Sequence, residues 1–378
     1  MKNERFQVFL DYIWRWRAAI FSVLALSSFY GVIISLVHGD GAWIYVDHVA
    51  ETNVYWGDDA YRWFLARSAW IKPDIYWFNF SLPAWVFLDG VVATLSQGDL
   101  LSARYIKAML SAFSVFLVYR TCLGLQLARW SALGAALLLA VMPLYFFVGM
   151  SFYGESWLLV LVAASAFCHV YGHKRLFLLA TAVMPLVRPE GIFFVLVFSA
   201  IFLYQRKWRE LAALLSFGFV FFISIFIFSD IDSFLGWRVE AAKIYQKQGM
   251  SYGWTPISAG FFDIFPAPLF VFSLIGMFMP KGRSLRGFYF GVALVVGHWI
   301  YTVSGNRGLI EPRYFVATMP VFMLAFAVFL DGLPAVSWLG RWHGRAWQAV
   351  AATLAVAVLL CHLYSLTVVR MAVVAGLR

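Results

Sequence analysis

The chain has 378 residues, of which 63% are hydrophobic and only 13% are charged. A soluble domain is about 45–50% apolar and about 25% charged, so this composition excludes an ordinary soluble enzyme and predicts an all-α polytopic membrane protein. The net charge of +10 would suit a nucleic-acid ligand, but its distribution along the chain makes such a partner unnecessary. The three cysteines lie in or beside apolar runs, which argues against a disulfide or metal framework.

Apolar runs predict a bundle of about eleven transmembrane helices, because a helix crosses a bilayer with about 20 apolar residues, or fewer where it is short or re-entrant. The predicted spans are residues 18–37, 100–119, 130–148, 155–171, 174–187, 190–204, 210–229, 262–279, 286–304, 313–331 and 346–367. The first span is longer than a signal-peptide core and is expected to remain as an anchor. The apolar run 80–97 is interrupted by Pro83, Asp89 and Gly90, so we interpret it as an interfacial or re-entrant helix.

The basic residues set the predicted orientation. With the N-terminus in the cytoplasm, the inner loops hold 16 of the 29 Lys and Arg residues but only 4 of the 19 acidic residues, as the positive-inside rule requires. The chain is then a single membrane domain, residues 1–378. Its parts are an N-terminal anchor (1–37), a first outer loop (38–99), core helices (100–229) with a hairpin at 174–204, a second outer loop (230–261) and C-terminal helices (262–378).

Two consecutive carboxylates, Asp58 and Asp59, open the segment GDDAYRWFLAR in the first outer loop. Apolar residues at 61, 64, 65 and 69 share one helical face, which predicts an amphipathic helix lying on the membrane surface. A purely structural interpretation makes Asp58 an N-cap and Asp59 a helix-dipole partner, with Arg62 paired to either carboxylate. A carboxylate pair at the rim of a membrane bundle instead favours a catalytic role.

The segment VRPEGIF places Arg188 and Glu190 between two short apolar runs. Pro189 and Gly191 should break the helix there and form the tip of a helical hairpin. Ionisable residues at such a position are expensive and indicate a functional site, although a structural Arg188–Glu190 ion pair is the alternative. Glu155, in SFYGESW, lies at another outer turn and is a weaker candidate.

The segment NRGLIEPRYF has Arg307 and Arg313 on either side of Glu311, just before a predicted span. Arginine suits a phosphate ligand because its planar guanidinium donates two parallel hydrogen bonds and keeps its charge. Tyr314 would add a hydroxyl group. Anchoring of Arg313 and Tyr314 at the membrane interface is the alternative interpretation.

In these residues the chain resembles the GT-C class of integral-membrane glycosyltransferases, especially bacterial members related to protein mannosyltransferases and mycobacterial arabinosyltransferases. The resemblance covers most of residues 10–330. It comprises an acidic pair followed by an aromatic residue and arginines, a proline-containing stretch, an R-P-E-G hairpin and a late Arg-Tyr pair. In this chain these are Asp58, Asp59, Tyr61, Arg62 and Arg67; SLPAWVFL; Arg188 to Gly191; and Arg313 with Tyr314.

The resemblance implies a GT-C-type bundle whose outer loop carries amphipathic interfacial helices. It implies transfer of a sugar from a polyprenyl phosphate donor to a lipid, glycan or protein acceptor, with inversion, on the periplasmic face of a bacterial inner membrane. We expect Asp58 to be the general base, with Asp59 as the alternative, and Arg313, Arg307 and Tyr314 to bind the donor phosphate. The remaining cavity residues are Tyr61, Arg62, Glu155, Arg188, Glu190 and Glu311. No cofactor is expected, and a divalent metal held by outer carboxylates is the alternative.

A transporter or lipid flippase is the rival function, because it too would be polytopic and would use charges within the membrane. Transporters often have two related halves with matching broken helices. The sequence shows one broken hairpin, at Arg188 to Gly191, and the charged motifs cluster on one predicted face of the membrane. One-sided chemistry therefore suits the sequence better than alternating access.

Overall fold

The computed structural model describes residues 26–27, 58–71, 82–228, 267–304 and 312–333. These residues contain helices and turns, with no β-strand among them. The α-helices are α1 Asp58–Ser68, α2 Pro83–Leu95, α3 Leu100–Gly124, α4 Arg129–Val141, α5 Pro143–Met150, α6 Gly154–Val170, α7 Lys174–Val187, α8 Ile192–Tyr204, α9 Trp208–Phe228, α10 Ala267–Phe278, α11 Arg286–Ser304 and α12 Met319–Gly332. Three 3₁₀ helices cover Pro189–Gly191, Pro280–Leu285 and Pro312–Thr318.

Several sequence-based predictions fall outside the described residues. These are the last predicted span, nearly all of the first span, the second outer loop, Arg307 and Glu311. Where the prediction can be compared, helix α7 has the predicted bounds, and α3, α6 and α11 lie close to theirs. The all-helical class is therefore confirmed for the described part of the chain.

Prolines explain most of the differences from the predicted spans. The span predicted at 130–148 is two helices, because Pro143 begins α5 after an extended Met142. The span predicted at 313–331 begins as the 3₁₀ helix Pro312–Thr318. The helix expected within the run 80–97 is present as α2, which starts at Pro83 and continues through Asp89 and Gly90.

The residues predicted to share the apolar face of α1 differ in their exposure. Leu65 and Ala69 are buried, whereas Phe64 is 48% exposed. The buried face instead includes Arg62, Trp63 and Ala66. This face packs against α2, so tertiary packing, rather than the most apolar stripe, decides the orientation of the helix.

The bundle has two distinct ends. At one end, which we call the charged end, Glu155 at the start of α6 meets Arg188 at the end of α7. At the opposite end, Gly124 at the end of α3 packs against Val170 at the end of α6. Lys281 and Asp331 also pair at this opposite end. The helix starts and ends therefore alternate between the same two layers, as they do in a membrane bundle.

Helix α12 is the centre of the bundle, with every residue from Met319 to Phe329 buried. It packs tightly on α10, where a Cβ at Gly276 would collide with the Ala325 carbonyl. Among the described residues, two helical segments are long and apolar enough to cross a membrane, Leu100–Gly124 and Tyr314–Gly332, and five further apolar helices are shorter.

Candidate functional site

The break between α7 and α8 holds a double ion pair at the charged end. Arg188 donates from Nε to Glu190 Oε2 at 3.0 Å and from Nη2 to Glu190 Oε1 at 2.9 Å. The same Nη2 lies 3.3 Å from Glu155 Oε1. Glu155 and Glu190 are both buried, so one guanidinium links two enclosed carboxylates from different helices.

Backbone geometry places Arg188 in this position. Its extended conformation (φ −153°, ψ 138°) ends α7, and Pro189 begins the following 3₁₀ turn. Two glycines let the backbones meet closely. A Cβ at Gly154 would lie 2.6 Å from the Val187 carbonyl oxygen, and one at Gly191 would lie 2.5 Å from the Met184 carbonyl oxygen. The predicted break between two helices is therefore present, and it holds the Arg188–Glu190 ion pair that the structural alternative expected.

Tyr314 completes this cluster from the 3₁₀ turn that precedes α12. Its ring centroid lies 5.1 Å from Cζ of Arg188, within cation–π distance. The other side of Tyr314 is covered by Trp299 of α11, with ring centroids 4.6 Å apart and planes inclined by 18°. The R-P-E-G hairpin, Glu155 and Tyr314 thus come together, although they are far apart in the sequence.

A second buried ion pair lies at the same end, and sequence reasoning missed it. Lys107 Nζ of α3 lies 2.7 Å from Asp89 Oδ1 of α2, with both side chains almost completely enclosed. Trp157 of α6 donates its indole N–H to the same Asp89 oxygen at 2.6 Å. The Lys107 ammonium also lies 4.6 Å from the Trp157 ring centroid. Asp89 therefore ties α2 to both α3 and α6.

Aromatic contacts surround Arg62, a charged residue of α1 that is buried. Cζ of Arg62 lies 5.0 Å from the Trp85 ring centroid and 5.6 Å from that of Tyr153. Trp85 is itself fixed, because its indole N–H donates to the Phe152 carbonyl oxygen at 2.9 Å. Arg62 is 8% exposed, so α1 inserts a cation between α2 and the turn before α6.

The other predicted site residues are placed only by their backbone or not at all. Asp58, Asp59 and Tyr61 form the first turn of α1, and Arg313 lies in the 3₁₀ turn next to Tyr314. Positions 58 and 59 precede Arg62 by four and three residues, which is about one helical turn or 6 Å along the axis. Arg307 and Glu311 lie outside the described residues.

A signal for the missed pair was present in the sequence. Lys107 is the eighth residue of a predicted span in which Arg104 is the other charged residue, and an ammonium is costly there unless a carboxylate meets it. Breaking a buried pair by removing one partner typically costs about 3–5 kcal/mol. Periodicity does not reveal which of the nearby carboxylates is the partner, because the answer depends on how α2 packs.

The described residues contain no group of three His, Cys, Asp or Glu side chains arranged to hold a metal ion. His169 and His173, spaced like a helical ligand pair, do not act together. His169 instead lies 3.0 Å from the Ser284 carbonyl oxygen through Nε2 and packs against Phe177, Phe198 and Phe288.

Comparison of the chain with models of protein families, with curated proteins and with solved structures finds no match.

Proposed function

We propose that this protein is a polytopic membrane glycosyltransferase. It transfers a sugar from a polyprenyl phosphate donor to a lipid, glycan or protein acceptor on the periplasmic side of a bacterial inner membrane. The resemblance of the sequence to GT-C enzymes names the reaction. The placement of buried charge in the structure supports it independently of that resemblance.

The observation that carries the proposal is the one-sided distribution of buried charge. Among the described residues, all six charged residues that are buried lie at the charged end, and Arg188 joins them there. They are Arg62, Asp89, Arg104, Lys107, Glu155 and Glu190. Buried charges are expensive in an apolar bundle and cluster where a protein handles polar substrates. A site confined to one end suits chemistry on one side of a membrane.

Each part of the charged end has a role in this proposal. Asp58 is the general base, with Asp59 as its alternative, because α1 brings the pair to within one turn of the buried Arg62. Arg188 is a positioning residue, since Glu155, Glu190 and the Tyr314 ring already engage it. By fixing Tyr314, this cluster orients the turn that carries Arg313, which binds the donor phosphate.

The chemistry follows from these roles. The base takes the proton of the acceptor hydroxyl, and the hydroxyl oxygen forms a bond with the anomeric carbon of the donor sugar. The bond between that carbon and the phosphate oxygen breaks, so the polyprenyl phosphate leaves with the electron pair. Attack opposite the leaving group inverts the anomeric centre. Fixed cations stabilise the charge that develops on the phosphate.

The test is sugar transfer by the purified protein in nanodiscs, with a set of radiolabelled polyprenyl phosphate sugars and a membrane extract that supplies acceptors. We expect one donor to be used and Asp58→Asn to lower turnover by about 10²–10⁴-fold while donor binding is retained. Asp331→Asn, at the opposite end, is the matched carboxylate control and should retain turnover.

Full activity in both Asp58→Asn and Asp59→Asn would reject the assignment of the base. Absence of transfer from every donor by folded protein with competent acceptors would reject the transferase itself. Uptake or flipping of a labelled lipid in proteoliposomes would then support the transporter alternative.

A further inference from the structure

Among the described residues, Arg62 has no acidic partner, in contrast to Lys107 and Arg188 at the same end of the bundle. Lys107 pairs with Asp89, and Arg188 pairs with Glu155 and Glu190. In the described part of the chain, Arg62 has neither an ion pair nor a hydrogen bond, although the residue is more than nine-tenths buried. A guanidinium buried in this way is unfavourable until an anion meets it.

The aromatic contacts of Arg62 leave its hydrogen-bonding capacity unused. Trp85 and Tyr153 attract the delocalised charge through their rings, at 5.0 and 5.6 Å. Such contacts consume none of the five N–H donors of a guanidinium. The rings also restrict the side chain, so the donors are held in place before a ligand arrives. This combination of fixed position and unused donors is what bidentate recognition of an oxyanion requires.

The surroundings favour an anion that carries an apolar chain. The helix that holds Arg62 exposes Phe64, and the turn that follows it exposes Trp70 and Ile71. The Trp70 ring meets the half-exposed Phe87 of α2 edge-on, with centroids 5.5 Å apart. In an amphiphilic ligand, the apolar chain would contact these exposed side chains and the anionic group would meet the buried cation.

We propose that Arg62 binds the phosphate group of a prenyl phosphate at the charged end. The identification of that phosphate as the sugar donor's rests on the proposed function, whereas phosphate binding by Arg62 does not. The guanidinium donates two hydrogen bonds to phosphate oxygens, while Trp85 and Tyr153 hold it in place. Arg62 is therefore a ligand-binding residue in this proposal.

The test is the binding of farnesyl phosphate to the full-length protein in nanodiscs, measured by calorimetry. We expect Arg62→Gln to weaken binding at least tenfold, and Arg62→Lys to restore it only in part because an ammonium cannot form the bidentate contact. Arg67→Gln is the matched control. Arg67 lies on the same helix but is exposed, so its loss should leave the affinity for farnesyl phosphate unchanged.

Uncharged farnesol serves as the second probe, because it reports on folding and on the apolar surface without the phosphate. Its affinity should be the same in the wild type and in Arg62→Gln. Inorganic phosphate is the third probe, and it distinguishes a lipid phosphate from free phosphate as the ligand. Weak binding of inorganic phosphate that depends on Arg62 supports the site. Binding of inorganic phosphate that is tighter than that of farnesyl phosphate would overturn the lipid assignment.

Equal affinity of wild type and Arg62→Gln for farnesyl phosphate, with farnesol binding intact, would overturn the proposal. The outcome is separable from that of the transfer assay. Arg62-dependent binding of farnesyl phosphate without transfer from any donor would reject the transferase and keep the phosphate site. Transfer that is unaffected by Arg62→Gln would keep the transferase and reject the site.

Discussion

The two ends of the bundle handle charge in opposite ways. At the charged end, Lys107 and Asp89 form an ion pair from which water is almost completely excluded. At the opposite end, Lys281 pairs with Asp331 at 2.6 Å, but the lysine side chain remains 52% exposed. The Asp331 side chain is only 7% exposed, so the two pairs differ chiefly in the lysine, which is enclosed at one end and hydrated at the other.

The difference in exposure determines how much each ion pair contributes to stability. An exposed lysine keeps most of its hydration, so a pair such as Lys281–Asp331 contributes little to stability, but it can help to orient a membrane protein. An enclosed pair loses its hydration and persists only with good geometry and further hydrogen bonds. The charged end supplies these, as the Trp157 N–H does for Asp89.

Removal of the Lys107 ammonium should have the largest effect on stability. Lys107→Met leaves the enclosed Asp89 carboxylate without its cation, and we expect a loss of about 3–5 kcal/mol in the free energy of unfolding. Lys281→Met is the matched change at the opposite end and should lose no more than about 1 kcal/mol. Chemical denaturation in detergent, followed by tryptophan fluorescence, measures both values.

A double substitution sharpens this comparison. Asp89→Leu combined with Lys107→Met removes both charges, so it should be less destabilising than the sum of the two single changes. Additive losses, or equal losses for Lys107→Met and Lys281→Met, would mean that the two ends do not differ as their burial indicates.

The next largest effect is expected at the helix break. A methyl group at Gly191 would meet the backbone of Met184, so Gly191→Ala should push α8 away from α7 and lower stability by about 1–3 kcal/mol. Gly218→Ala is the control, because a Cβ at Gly218 meets nothing within 4 Å. That change lies within helix α9 and should stabilise the protein by up to about 1 kcal/mol. A thermal melt in which Gly191→Ala is as stable as the wild type would contradict the close approach.

The smallest expected effect concerns two arginine–tyrosine contacts, one at each end. Tyr314→Leu removes the ring near Arg188, and Tyr171→Leu removes the ring that lies 5.7 Å from Arg120 at the opposite end. Each change should lower stability by about 0.5–2 kcal/mol. Only Tyr314→Leu should also raise the KM for the donor, because Tyr314 orients the turn that bears Arg313.

Tyr314→Phe keeps the ring and should restore the donor KM of Tyr314→Leu towards the wild-type value. A higher donor KM in Tyr171→Leu as well would show that the effect arises from general loosening of the bundle. The higher donor KM of Tyr314→Leu would then say nothing specific about the charged end.

Local patterns were sufficient for much of the architecture. The apolar runs predicted α3, α6, α7 and α11 close to their observed bounds, and Pro189 with Gly191 predicted the break after α7. These features depend on neighbouring residues, since hydrophobic period and proline geometry act within a few positions. The same reasoning did not reveal the role of Asp89, because the partner of a carboxylate inside an apolar run depends on how its helix packs.

The sequence by itself determined the helical class, the placement of the turns and the motifs that merit attention as chemistry. Only the tertiary structure decided which of those motifs meet. Glu155 and Tyr314 contact Arg188, Lys107 pairs with Asp89, and Arg62 lies between the rings of Trp85 and Tyr153. The physical reason is that helix formation depends on contacts between near neighbours. The enclosure of a charge depends on helices brought together from distant parts of the chain, and no local pattern encodes that arrangement.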